Sequence, residues 1–449
     1  MELTREKSFY NNFFSLFWVI VLQNVIVLGV NLADNIMVGA YNETSLSGVA
    51  AVNQIQFIFQ QVVMGLSDAL VVNGSQYWGQ KRTSPIKSLA CGALIIGLGV
   101  GTVLFCAATF APQHVVGIFT PDKAIISEGV KYISVIRYTY IIFAATNLLL
   151  ALLRSVETVK VSFYISIVTF VINCSINYVL IEGRFGAPEM GVRGAAIGTL
   201  VARIIELCIV ITYLAIGDKK LKVKISDITH ADKTYVGDYL KGCGYFVTVA
   251  AMFGVSTALQ TVILGHMNES AIAANSVATT LFQVLKVASI GAASATSIII
   301  GKTIGRGETK KLRGYVNTLQ IIFIIIGLII SALLFVLRYP ILSCYDLSPE
   351  TLKMAEQFIL VLCVTCIGTA YEMPVIVGII RGGGDSKFVF INDLVSIWGI
   401  VLPVSFLAAF VWKWEPFIIV FCLNSDQIFK CAAAAIRVNS YKWIKKLTR

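Results

Sequence analysis

The chain has 449 residues, of which 57% are hydrophobic and only 14% charged, with a mean hydropathy of +0.80. A soluble domain carries roughly a quarter charged residues, so this composition excludes an ordinary globular protein and predicts an all-α integral membrane chain. The formal charge of +11 would suggest a nucleic-acid partner in a soluble protein, but here it sits in the connections between apolar segments and implies none.

The polar stretch Met1–Asn12 comes first. The apolar segment after it is too long for a signal-peptide core and no small-residue cleavage site follows, so it is expected to be retained. Apolar stretches then fall near 13–40, 47–75, 88–112, 125–153, 161–182, 194–216, 242–265, 271–300, 314–337, 352–380, 388–411 and 415–440. Each reaches the ~20 residues a bilayer core requires, which predicts twelve transmembrane spans. Of the 36 lysines and arginines, 26 fall at the two ends and in the even-to-odd loops, counting Lys430 with the basic C-terminal end. By the positive-inside rule both termini are expected in the cytoplasm, in a multi-pass protein of the cell membrane with some anionic-lipid contact.

Ionisable and amide groups inside spans are where function is expected, because burying them in lipid is costly. Asp34, near the outer end of span 1, is either an interfacial carboxylate or the coupling-ion carboxylate of a cavity in the first half. Asp68 in span 2 and Lys286 in span 8 either pair or flank a central path. Asn173 and Asn177 in span 5 are four apart and share a helix face, where two amides want a partner. In span 6 Arg203 and Glu206 are spaced to bridge each other, as are Asp426 and Lys430 in span 12. Between spans 6 and 7 the run Asp218–Lys224 reads as a solvated linker, and the basic tail Lys442–Arg449 invites the same reading. Glu372 in span 10, beside Tyr371 and Pro374, is the one strong acid expected deep in the second half. Cys363 and Cys366 make a lone CxxC within span 10 and read as packing residues. Gly301-Lys302-Thr303 lacks the first glycine of a P-loop and follows a span rather than a strand. His114, His230 and His266 make no metal constellation, and no catalytic arrangement is visible. Neither an enzyme nor a bound cofactor is expected.

The second half repeats the first. Gly39, Asn42, Glu43, Gly65 and Gly79 recur 226 residues later as Gly265, Asn268, Glu269, Gly291 and Gly305, and Arg154 and Lys160 recur as Arg381 and Lys387 after a one-residue slip. Six spans per copy is an even number, so the two copies run parallel, with a substrate path expected between them. The expected division is an N-lobe at 1–216, a cytoplasmic linker at 217–241 and a C-lobe at 242–449.

Leu32-Ala33-Asp34-Asn35-Ile36-Met37-Val38-Gly39 resembles the first-helix signature of the multidrug and toxic compound extrusion (MATE) family. The stretch from Gly65 to Gln76-Tyr77-Trp78-Gly79-Gln80 is similar to that family's second-helix exit. Arg381-Gly382-Gly383-Gly384-Asp385-Ser386-Lys387 is similar to its loop between spans 10 and 11, with Arg154–Lys160 a degraded copy. The resemblance covers nearly the whole chain. It implies a secondary antiporter exporting amphipathic, cationic organic compounds in exchange for H+ or Na+, with the positions matching Asn173, Asn177 and Thr199 surrounding Asp34. Some family members carry a second carboxylate where Asn177 stands, so one formal charge is expected here, suiting one monovalent cation or proton. Some also carry carboxylates in spans 7 and 10. Span 7 here has none, and Gln260 stands at the position equivalent to Asp34, which favours ion coupling in the N-lobe. Asp68, Gln260, Lys286, Tyr371 and Glu372 are the candidates for the substrate cavity. The rival reading is a flippase for a lipid-linked saccharide, which would want a strongly cationic cavity. A monomer is expected.

Overall fold

The computed structural model describes residues 3–224, 227, 231–266, 269–343 and 348–449. Asn268 and His230 lie outside them. Twelve helices are long and apolar enough to cross a bilayer, and no strand occurs among the described residues. In lipid every backbone N–H and C=O must be satisfied within the segment, which is why near-continuous apolar runs fold as helices. The spans are Lys7–Tyr41, Thr44–Gly79, Thr83–Phe110, Tyr138–Ser155, Lys160–Leu180, Val192–Gly217, Lys233–Gly265, Ser270–Gly305, Thr309–Leu342, Pro349–Arg381, Ser386–Val411 and Pro416–Asn439, numbered 1 to 12 below.

The fourth apolar stretch divides. Lys123–Ile136 is a separate helix, capped by Asp122, whose carboxylate accepts the N–H groups of Ala124 at 2.7 Å and Ile125 at 3.2 Å. Span 4 then begins at Tyr138. Spans 10 and 11 contain wide-turn π-helical stretches at Pro374–Arg381, Leu394–Val401 and Leu407–Val411. Pro374 has no N–H to give to the turn before it, which accounts for the first of these.

The chain forms two compact units, residues 22–251 and residues 1–21 with 252–449. The boundaries thus cut spans 1 and 7 instead of falling at the connecting segment. In the first unit Val49, Val52, Phe59, Tyr132, Ile133, Tyr140 and Ile181 form a buried core. Gly65 of span 2 lets span 7 approach so closely that a Cβ there would meet the Phe246 carbonyl oxygen at 2.8 Å. With no hydrophobic drive between helices in lipid, such close backbone contact is the main source of attraction. In the second unit Phe282, Leu334, Phe358, Ile359 and Leu362 form the core. Phe9 stacks on Tyr315 there at 4.3 Å, holding the start of span 1.

Two connections expected to be solvated are instead packed. Asp218 is buried and accepts the N–H groups of Lys220, Leu221 and Lys222 at 3.0, 2.9 and 3.1 Å. Lys220 Nζ donates to the Val156 carbonyl at 2.6 Å, and Tyr239 donates its hydroxyl to the Leu66 carbonyl at 2.7 Å. Span 7 itself starts at Lys233, inside the segment read as linker. The C-terminal tail is also anchored: Trp443 is fully buried and Lys445 N–H donates to the Gly383 carbonyl at 2.8 Å. Backbone groups leaving a membrane helix need partners, and here the neighbouring loops supply them.

Candidate functional site

The first unit gathers polar side chains from spans 1, 5 and 6 around one carboxylate. Asn177 donates Nδ2 to Asp34 Oδ1 at 2.6 Å and to Asn173 Oδ1 at 3.4 Å, while Asn173 Nδ2 donates to Thr199 Oγ1 at 3.3 Å. Both asparagines are buried and Asp34 is half-buried. The four-residue spacing of the asparagines, one helical turn, sets them on the face that meets spans 1 and 6. Asp34, Asn173, Asn177 and Thr199 are therefore brought together.

Asn177 is oriented by its neighbours. Its NH2 faces two acceptors, so its Oδ1 points the other way, buried and without a hydrogen-bond partner among the described residues. That oxygen lies against Gly198 of span 6, where any Cβ would strike it. A half-turn of the Asn177 amide would bring this oxygen to the side of Asp34 and Asn173 Oδ1, where with Thr199 Oγ1 it could ligate a hard monovalent cation. Proton uptake on Asp34 would be equally consequential, because it converts an acceptor facing the Asn177 NH2 into a donor. The residues fit either a proton or a monovalent cation.

Sequence reasoning missed two neighbours. Tyr132, buried in the helix before span 4, lies beside the Thr199 side chain. Arg203 stands within charge range of Asp34 while its guanidinium pairs with Glu206 at 2.7 Å and lies 5.0 Å from the Phe143 ring. The pairing followed from spacing. The reach toward Asp34 depends on how spans 1 and 6 pack, for which the sequence carries no signal.

The remaining candidates are spread over both units. Asp68 and Lys286 belong to different ones, and each faces charges of its own: Asp68 those of Arg154, Lys286 those of Glu372 and Asp426. Lys286 also lies 6.0 and 5.9 Å from the Phe253 and Phe282 rings. Tyr371 donates its hydroxyl to Gln320 Oε1 at 2.7 Å, and Gln260 is half-buried in span 7. Glu372 is not the one acid at depth in the second unit. Asp393 of span 11 and Asp426 of span 12 share its surroundings, and Lys430 bridges them. Lys430 is thus a membrane-depth charge and not part of the basic end. Every deep cation named here faces an acid, the opposite of a strongly cationic cavity.

A family model described as MatE matches residues 20–179 and 245–407, one match in each half. The chain is 24% identical over 413 residues to the "Uncharacterized transporter YisQ" of Bacillus subtilis, covering 90% of this chain and 88% of that protein. It is 22% identical over 404 residues to the "Multidrug resistance protein NorM" of Vibrio cholerae, covering 90% and 88%. Among solved structures, the fold is similar to that of the Vibrio cholerae MATE transporter VcmN in the bent form (TM-score 0.82, 17% identity, 96% of this chain and 97% of that one). It is similar also to that of the eukaryotic MATE transporter AtDTX14 (TM-score 0.85, 17% identity, 98% and 97%).

Proposed function

The chain belongs to the MatE family, and we propose that it is a secondary antiporter that exports amphipathic organic cations in exchange for H+ or Na+ by alternating access. The observation that carries this reading is the convergence of Asp34, Asn173, Asn177 and Thr199 from three spans. A lone carboxylate beside neutral amide and hydroxyl groups offers one exchangeable charge, which a proton or a monovalent cation can neutralise. The occupied site biases the lobe toward one conformation, by as much as the ion's affinity differs between the two states. The aromatic side chains Phe253 and Phe282 and the carboxylate Glu372 in the second unit suit an amphipathic cation. Relatives named multidrug resistance proteins support an efflux role. On this reading both termini lie in the cytoplasm, which the lysine and arginine excess at the ends and in the even-to-odd loops supports, and the working unit is a monomer in the lipid bilayer.

The test is transport in sealed vesicles with a sodium gradient and a proton gradient imposed separately. One of the two should drive efflux of a lipophilic cation, and Asp34→Asn should abolish it while the purified variant stays helical and monodisperse. Gradient-driven transport at the wild-type rate by that variant would remove Asp34 from the coupling role.

A further inference from the structure

The second unit holds a buried charge cluster that the proposed coupling does not use. Lys430 of span 12 lies with Nζ 2.8 Å from Asp393 Oδ1 of span 11 and 3.2 Å from Asp426 Oδ2, one turn earlier in its own span. Its side chain is 5% exposed, against 20% and 16% for the two carboxylates, so the ammonium is the most enclosed member. Glu372 of span 10 and Lys286 of span 8 are within charge range of the same group. Two of the carboxylates sit at irregular points of the helices: Glu372 just before the π-helical stretch at Pro374, Asp393 where span 11 changes from α to π turns. Such widened turns re-aim a side chain into a bundle.

We propose that Lys430 is a tethered counter-cation that occupies the point where the carboxylates of spans 11 and 12 converge, so that this lobe binds no coupling ion of its own. This goes beyond the reading of Asp34 and fixes the number of coupling sites at one. Two carboxylates from different helices cannot both stay ionised at membrane depth without a positive charge between them, and that charge must be a proton, a free cation or a side chain. The Lys430 ammonium supplies it with charge-assisted hydrogen bonds to both.

The test uses the full chain in detergent and in proteoliposomes. Lys430→Met removes the ammonium and keeps most of the stem, and should gain one bound cation per molecule over the parent, counted with radioactive sodium and by proton uptake on titration. The gain should appear with or without Asp34→Asn, and should vanish when Asp393→Asn is added. Proteoliposomes of Lys430→Met/Asp393→Asn should keep the parent's gradient dependence, with half-maximal ion concentration within about twofold, a shift of only ~0.4 kcal/mol. Equal cation binding by Lys430→Met and its parent overturns the proposal, as does loss of ion dependence in the double variant. Should Lys430→Met fail to fold, the double variant decides alone, its retained ion dependence supporting the proposal and its loss overturning it. If Asp34→Asn proves harmless while Lys430→Met gains its cation, the assignment of Asp34 fails and that of Lys430 stands.

Discussion

Asn177 shows how much one side chain is asked to do. Its NH2 serves Asp34 and Asn173 together, and its oxygen, lacking a hydrogen, can only accept. Gly198 is the residue that leaves this oxygen its space. Gly198→Ala should push the amide off Asp34, and overpacking of this kind costs about 1–3 kcal/mol, roughly a 5- to 150-fold loss if it falls wholly on coupling-ion affinity. The half-maximal ion concentration for transport checks this, with Gly99→Ala, where a Cβ meets open space, as the silent control. Asn173→Ala and Asn177→Ala should each move the ion dependence further than Cys174→Ala on the neighbouring face. If sodium drives transport the change is in sodium demand, and if protons drive it the pH profile moves.

At the scale of elements, the two connections that follow the sixth span of each copy end as straps. The tail after span 12 is held by Asp385 in the loop between spans 10 and 11. This carboxylate is 2% exposed and accepts from Arg437 Nε at 2.9 Å, from a second guanidinium nitrogen, and from Lys445 Nζ at 2.5 Å. Trp443 lies over Gly383 where no Cβ could fit. Burial by itself would raise the Asp385 carboxyl, but the hydrogen bonds from Lys445 and Arg437 outweigh it and hold it below the usual carboxylate range. A depressed folded value means stabilisation present above the ordinary ~3.9 and lost as pH falls through the lower folded value. The strap should therefore stay shut at neutral and mildly acidic pH and release only in strong acid. Trp443 fluorescence, taken as the difference from Trp443→Phe, follows that release. Asp385→Asn should cost about 1–3 kcal/mol, less than a fully buried pair because Arg437 and Lys445 keep some water, and lower the thermal midpoint of the purified protein. Release of Trp443 near neutral pH would show that Asp385 is not what holds the tail.

For the whole molecule, duplication has produced unlike halves. The first unit has Asp34 among neutral oxygens, whereas the second has Gln260 at the matching position and its acids collected around Lys430. Gln260→Ala should change transport rate or substrate affinity by a small factor and leave the ion dependence intact, because a neutral amide changes no charge. Comparing Gln260→Ala with Asp34→Asn in vesicles checks this asymmetry. Loss of ion dependence in the first with retention in the second would move coupling to the other lobe.

The sequence determined the membrane class, the twelve spans and the duplicated plan, because hydrophobic length and repeat spacing are local quantities that lipid enforces one helix at a time. It also singled out Asp34, Asn173, Asn177 and Thr199, through the cost of polar groups at depth, helical spacing and a family likeness. The local bridges Arg203–Glu206 and Asp426–Lys430 were legible for the same reason, since partners three or four residues apart need no tertiary contact. Tertiary packing alone decided the partners that come from different helices. It brought Tyr132 to Thr199 and Arg203 toward Asp34, and it turned the linker and tail into docked straps. It also set Asp393 against Lys430 across 37 residues. In each case the outcome depends on the rotation and depth of one helix against another, which small-residue contacts fix in three dimensions and no spacing along one chain encodes.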